Sequence, residues 1–242
     1  MNENKYDDAT FFEKYSHMLR SQKGLAGAGE WPTLQRLLPD MRGKRVLDLG
    51  CGYGWHCKYA IEHGANHVIG VDISTKMIDK AKSINNDPSI DYMVQSIETC
   101  SFEPHTFDLI ISSLAFHYIE AIDPLIASIA SWLDQDGQLI FTVEHPIYTS
   151  NDDQDWIYDD QGNILYFPVD HYFYEGIRHT HFLGEPVTKY HRTLTTYIET
   201  LLNHGLTIEH VVEPQPPESM MDIEGMKDEM RRPMMLIISA RK

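Results

Sequence analysis

The chain has 242 residues, 42% of them hydrophobic and 23% charged, with 20 basic against 36 acidic residues for a net charge of −16. A protein of this size buries a core without disulfides or structural metals, while so acidic a chain, with no basic run longer than two, argues against gripping nucleic acid or an anionic membrane surface. No stretch of eighteen apolar residues exists to span a bilayer, Met1-Asn2-Glu3-Asn4-Lys5 lacks a secretory apolar run, and Cys51, Cys57 and Cys100, odd in number and without a CxxC pair, read as free thiols of a reducing cytoplasm.

Asp7-Asp8 is expected to cap a helix over 9–20, where Phe11, Phe12, Tyr15 and Leu19 recur at helical spacing. A glycine-rich break at 24–29 follows, and Trp31-Pro32 opens a second helix with the stripe Trp31, Leu34, Leu37 and Leu38. From residue 44 short apolar runs alternate with helices. Strands are expected at 45–49, 68–71, 92–94, 107–112 and 138–143, the last entered through a turn at Asp136-Gly137. Between them lie a helix from Trp55 closed by Gly64, a helix over 75–83 capped by Ser74, and a helix from Asp123-Pro124 to Leu133. Residues 146–188 break this rhythm with Tyr, Phe, His and Asp, and carry a hairpin across 159–163. A helix over 189–203, closed by Gly205, and strands at 206–212 and 234–240 end the chain, with the loop Pro214-Gln215-Pro216-Pro217 between the strands. Apolar strands joined by helices need right-handed crossovers, hence a parallel sheet covered on both faces. The class is α/β, doubly wound. One domain is expected, divided into an N-terminal helical lid (1–40), a core (41–145), an inserted cap after the fifth strand (146–188) too poor in apolar residues for a core of its own, and a C-terminal part (189–242).

The strongest chemical signal is Val46-Leu47-Asp48-Leu49-Gly50-Cys51-Gly52-Tyr53-Gly54, a strand running through a glycine turn into a helix. Glycine tolerates positive φ and lets a ligand approach the backbone with no Cβ in the way. Asp72, about twenty residues on at the end of the next strand, can accept hydrogen bonds from both hydroxyls of a ribose. A nucleoside-containing ligand beyond the carboxyl ends of the strands follows. A dinucleotide fingerprint competes, but the position of its third glycine is Trp55, and no phosphate-binding G-x-x-x-x-G-K-[ST] occurs.

Asp48-x-Gly50-x-Gly52-x-Gly54 with Asp72 resembles motif I and the acidic residue after it in class I S-adenosylmethionine-dependent methyltransferases. Phe107-Asp108-Leu109-Ile110 is similar to their fourth-strand motif, and Leu133-x-x-Asp136-Gly137-Gln138-Leu139 to the approach to their fifth strand. The resemblance covers 40–145 closely and the last strands loosely, and is nearest the small-molecule branch that includes quinone-biosynthesis methyltransferases. It implies a Rossmann-like, mostly parallel seven-stranded sheet, S-adenosylmethionine as cofactor with S-adenosylhomocysteine as product, and a small aromatic or heteroaromatic acceptor. Monomer and homodimer both remain open. Within the motif that holds Asp48 and Gly54, the residues Gly50, Cys51 and Gly52 would face the methionine part. Asp72 would hold the ribose, Ile73 and Met77 would flank the adenine, and the loop Gln95-Ser96-Ile97-Glu98 would edge it, with Ser96 where many relatives carry Asp. Ser112, Ser113 and Leu114 would lie near the methionine end. The base-methylating signature Asn/Asp/Ser-Pro-Pro-Tyr/Phe is replaced by Ser112-Ser113-Leu114-Ala115-Phe116, which speaks against nucleic acid as acceptor.

Methyl transfer from a sulfonium needs no enzyme nucleophile, and a base matters only for a protonated acceptor. His117, after the fourth strand, and His145, in Glu144-His145-Pro146 after the fifth, are the catalytic candidates; each could instead be a packed, hydrogen-bonded histidine. Tyr148 in the cap and Tyr190, His191 and Arg192 at the start of the late helix are candidate acceptor-binding residues, Arg192 for an anionic group. Tyr6 and Tyr15 could fold over the cofactor. His179-x-His181 and His191 read as a solvated strand face and not a metal site, because no cysteine or acidic ligand stands at a fixed offset. A binding module without catalysis shares all of these cofactor features.

Overall fold

In the computed structural model, which describes residues 4–242, each apolar run of the core has become a strand of one sheet. The N-terminal segment forms a 3-10 turn, then α1 (Ala9–Ser16) and α2 (Leu19–Lys23), and α3 is Trp31–Leu37. The single helix expected over 9–20 is broken at Met18, whose backbone is extended. Asp8 caps α1, accepting from Phe11 N at 2.9 Å. Asp7 has a different role described below, and residues 1–3, part of the expected lid, lie outside the described residues.

The core then runs β1 (Arg45–Leu49), α4 (Trp55–Glu62), β2 (His67–Asp72), α5 (Thr75–Ile84), β3 (Ile90–Val94), β4 (Phe107–Ser113), α6 (Ile122–Trp132) and β5 (Leu133–Glu144). α6 starts one residue before the expected cap, and Asp123 instead accepts from His204 Nε2 at 3.0 Å. The turn at Asp136-Gly137 does not precede β5 but bulges within it, with Asp136 at φ 63° where the pairing with β4 slips.

Beyond β5 come α7 (Pro146–Thr149), the small hairpin β6 (Ile157–Tyr158) with β7 (Ile164–Tyr166), and a longer one, β8 (Gly176–Phe182) with β9 (Glu185–His191). The helix expected from residue 189 therefore begins later, as α8 (Leu194–Asn203) capped by Thr193. Residues 189–191 are drawn into extended pairing with β8, a long-range interaction that overrides their local pattern. β10 (Thr207–Val212) and β11 (Met235–Arg241) complete a seven-stranded sheet of order β10-β11-β5-β4-β1-β2-β3. β11 runs antiparallel to both its neighbours, and the other pairs are parallel.

Side chains alternate across the sheet into two buried layers. Leu47, Leu49, Ile110, Phe141 and Ile238 pack with α6 and α8 on one face, and Val46, Leu109, Ile111, Ile140 and Ile237 pack with α3 and α4 on the other. Burial on both faces is why these strands read as unbroken apolar runs. The chain winds outward from β1 in one direction and from β4 in the other, so a crevice opens beyond their carboxyl ends. Among the described residues no helix is long and apolar enough to cross a membrane.

Candidate active site

That crevice is a cavity of about 490 Å³, roofed by the N-terminal segment and the β8–β9 hairpin. Its floor is the glycine turn. Gly50 N and Cys51 N both donate to Val71 O, at 2.8 and 3.0 Å, which folds the turn back against β2. Gly50, Gly52 and Gly54 have φ of 79°, 52° and 74°, the left-handed region that glycine enters without penalty. Their surroundings differ. A Cβ on Gly50 would lie 2.5 Å from that of Ala115, and one on Gly54 would lie 2.2 Å from the Tyr92 hydroxyl; at Gly52 nothing stands within 4 Å. Gly50 and Gly54 have no room for a side chain, and Gly50 and Gly52 leave bare main chain at the cavity.

Asp72 ends β2 at the cavity wall. Its Oδ2 accepts from Gly52 N and its Oδ1 from Ser74 N, both at 2.9 Å, so the carboxylate ties the turn to the start of α5. Each oxygen keeps a further lone pair for a ligand hydroxyl. Burial pushes its pKa up to about 6, against the lowering effect of the two N–H donors. Bare main chain beside a carboxylate with spare acceptors fits the ribose and methionine parts of S-adenosylmethionine.

Of the residues expected at the cofactor, Gly50, Gly52, Asp72, Ile73, Met77, Ser96, Ile97, Ser113, Leu114 and Tyr15 line the cavity. Asp48, Cys51, Gly54, Glu98 and Ser112 do not. Asp48 is buried beneath the turn, accepting from Cys57 Sγ at 3.3 Å, and burial pushes its pKa up to about 7. Cys51 is buried with Cys57 against Gly70, and Ser112 donates to Leu49 O at 2.8 Å, locking β4 to β1. These residues shape the floor from behind. Trp55 opens α4 with its indole packed on Gly24, 3.0 Å from where a Cβ would stand, so the place a dinucleotide would need open is filled.

The N-terminal segment contributes more than Tyr15. Lys5, Tyr6, Met18 and Arg20 also line the cavity, because the break at Met18 turns α2 toward it. Tyr6 stands edge-on to Phe11, Tyr15 and Tyr118 at 5.0, 5.4 and 6.3 Å between ring centres. Arg20 pairs with the buried Glu30. Asp7 anchors the segment, accepting from Ser74 Oγ at 2.6 Å and from Lys76 N at 3.0 Å at the amino end of α5. Those donors outweigh partial burial and hold its carboxyl below the usual range. A carboxylate at a helix start is a local sequence signal, but nothing local shows that it serves a helix 67 positions away.

At the opposite end, beyond β4 and β5, His117 lines the cavity and is only 2% exposed. Its Nδ1 accepts from Glu144 N at 3.3 Å, which places the proton on Nε2. Burial pushes its pKa down to about 4, so the ring is neutral at physiological pH and presents a donor. Glu144 also lines the cavity, bound at Oε1 by Lys189 Nζ (2.6 Å) and at Oε2 by Gln154 Nε2 (2.9 Å). Tyr190 is at the wall with Phe182, Val187, Met234 and Met235.

His145, Tyr148, His191 and Arg192 are placed elsewhere. His145 caps α7, accepting from Ile147 N at 3.0 Å, with its Nε2 2.9 Å from Glu213 Oε1. Tyr148 stacks on Phe167 and receives the Arg232 guanidinium 4.6 Å from its ring centre. His191 is fully buried between Thr149 Oγ1 (2.8 Å) and Tyr172 O (2.9 Å). Arg192 donates to the carbonyls of Phe116, Ile119, Glu120 and Tyr190 and does not line the cavity. In each case the local pattern signalled a polar group in need of a partner, and the protein supplies that partner. His179 and His181 lie exposed on β8, turned away from the buried His191.

Residues 47–141 match the family model described as a methyltransferase domain. A solved structure from Mesorhizobium loti, an S-adenosylmethionine dependent methyltransferase, superposes with a TM-score of 0.84 at 40% identity over 90% of this chain and 100% of that one. A Listeria monocytogenes structure assigned to the same class gives 0.86 at 50% identity over 90% and 99%. An uncharacterized protein of Haemophilus influenzae is 36% identical over 98% of this chain and 96% of its own length. A ubiquinone biosynthesis O-methyltransferase of Neisseria meningitidis is 28% identical over 59% of this chain and 65% of that enzyme.

Proposed function

This chain belongs to the class I S-adenosylmethionine-dependent methyltransferases, and on that premise we propose that its acceptor is a small aromatic or heteroaromatic molecule and not a nucleic acid. The observation that carries this reading is the wall opposite Asp72. Ile119, Phe182, Val187, Tyr190 and Met234 give a broad apolar surface, interrupted by the buried His117 and the half-buried Glu144. Such a surface with a few placed polar groups suits a flat ligand. The likeness to the Neisseria enzyme, named for O-methylation in ubiquinone biosynthesis, supports the same class.

Bound here, S-adenosylmethionine supplies a methyl group activated by its sulfonium. Asp72 would take the ribose hydroxyls, Gly50 and Gly52 would give main chain to the methionine part, and Ile73, Met77, Ser96 and Ile97 would enclose the adenine. Arg20 would hold the methionine carboxylate. β5 lies three strand spacings from β2, so Glu144 stands about 14 Å across the sheet from Asp72. The chain's remaining work is to place the acceptor and exclude water. Tyr6, Tyr15, Tyr118 and Phe182 close the roof, and a dry pocket favours a reaction that disperses charge. Residues 4–40 act in this reading as a lid anchored by Asp7, and the cap that begins at 146 supplies the roof through the β8–β9 hairpin. Thermal shift tests the cofactor: a rise in Tm with S-adenosylhomocysteine and none with NADH is expected. Methyl incorporation across phenols, hydroxypyridines and aliphatic amines tests the acceptor, and turnover with the amines alone would refute the aromatic class.

A further inference from the structure

Glu144, next to His145 in sequence, is held by more partners than His145 is. Lys189 is 2% exposed, and among the described residues its ammonium bonds the Glu144 carboxylate and Gln154 Oε1 (2.9 Å), over the face of Phe182. Gln154 is itself fixed, because its Oε1 also accepts from Thr180 Oγ1 at 3.0 Å. Burying a lysine is costly unless it is paired and hydrogen-bonded. This chain buries one, carried on the roof hairpin, and aims it at a carboxylate in the cavity wall. The main chain of the same residue sets the tautomer of His117. Nε2 of His117 has no partner among the described residues and is not sealed from the cavity.

We propose that Glu144 and His117 together read the acceptor. Glu144 accepts a hydrogen bond from the reacting hydroxyl and takes its proton, and His117 Nε2–H donates to an oxygen on the neighbouring ring atom, as in a catechol or an ortho-hydroxycarbonyl arene. This rests on the small-aromatic reading above. As the new O–CH3 bond forms, the S–CH3 bond breaks and its electron pair stays on sulfur. The hydroxyl proton passes to a Glu144 oxygen, so a cation, a neutral phenol and a carboxylate give a neutral thioether, methyl ether and carboxylic acid, and the acid then loses its proton to water. Lys189 is a positioning residue that holds the carboxylate ionised and oriented. Other titratable or charged groups facing Glu144 are His117 and Tyr118 beyond β4, Tyr148 on α7 and Tyr197 on α8.

The test uses catechol and phenol as probes on the full chain, reading binding to the S-adenosylhomocysteine complex by calorimetry and methyl transfer by mass spectrometry. Catechol is expected to bind more tightly than phenol in the wild type. Glu144→Gln is expected to weaken catechol binding about tenfold and lower kcat about a hundredfold or more, leaving the Kd for S-adenosylhomocysteine unchanged. Glu144→Gln/Lys189→Met removes both charges at similar shape, so it keeps its fold and its cofactor affinity while remaining inactive. Lys189→Met alone moves the acid limb of kcat/KM to higher pH, a shift that a merely structural lysine would not produce. Turnover within threefold of wild type in Glu144→Gln, or an unmoved acid limb in Lys189→Met, overturns the proposal. A wild type that binds S-adenosylhomocysteine yet neither binds nor methylates either probe overturns the acceptor reading beneath it. Failure to bind S-adenosylhomocysteine overturns the cofactor site instead.

Discussion

The pKa of Asp72 makes cofactor affinity a function of pH. Its carboxylate is raised to about 6 because burial disfavours the charge more than the N–H groups of Ser74 and Gly52 favour it. A carboxylate is a far stronger acceptor for ribose hydroxyls than the neutral acid, so the ligand prefers the deprotonated form. Apparent Kd then scales as one plus the ratio of protonated to ionised Asp72. Between pH 7.5 and pH 5 the affinity for S-adenosylhomocysteine should fall about tenfold, with the bend near pH 6. Of the two carboxylates that interact with it, Asp7 lies below the usual range and stays ionised through this window, while Asp48, beneath the turn and raised to about 7, protonates above the bend. Asp72→Asn should lower affinity at pH 7.5 by about 10- to 100-fold, the worth of a hydrogen bond to a charged group, and should abolish the bend. Calorimetric titration at half-unit pH steps reads both. A flat wild-type profile, or a variant that keeps the bend, would show that another group controls binding.

The glycines of the turn should separate by role. Gly50→Ala forces a contact with Ala115 and should cost about 2 kcal/mol of stability by denaturant titration. Gly52→Ala meets no atom, should cost about 1 kcal/mol for its positive φ, and should lose S-adenosylhomocysteine binding out of proportion. His145→Ala should remove about 1 kcal/mol through the lost α7 cap while kcat per folded molecule stays near wild type, and an inactive, fully folded variant would restore His145 to catalysis. Asp7 has a depressed folded pKa, so its contribution is present above the unfolded carboxylate value and is lost as pH falls through the lower folded one. Asp7→Ala should therefore lower Tm at pH 7, where the anchor to α5 is intact, and progressively less as pH falls through the folded carboxyl's own titration, where the wild type loses the anchor too.

What was legible in the sequence was whatever short-range chemistry dictates. A glycine run between an apolar pentamer and a helix can only be a tight turn, and strands buried on both faces announce themselves as unbroken apolar runs. The Ser74 cap, the glycine floor, Asp72 and the parallel order of the core follow from neighbours along the chain. The tertiary structure decided where polar side chains spend their hydrogen bonds. Arg192 and His191 looked available for a substrate, but His191 pairs with β8 and is buried against Thr149, and Arg192, one residue beyond the strand, is spent on backbone carbonyls. His145 and Glu144 are adjacent, and the alternation of an extended strand end points one at Glu213 and the other at the cavity. Arg20 came to the site through a helix break, and Lys189 through a hairpin. Their partners, Glu30 and Glu144, stand 10 and 45 positions away along the chain. Local pattern shows that a charged group needs a partner, and only the packed chain shows whether that partner is the protein or its substrate.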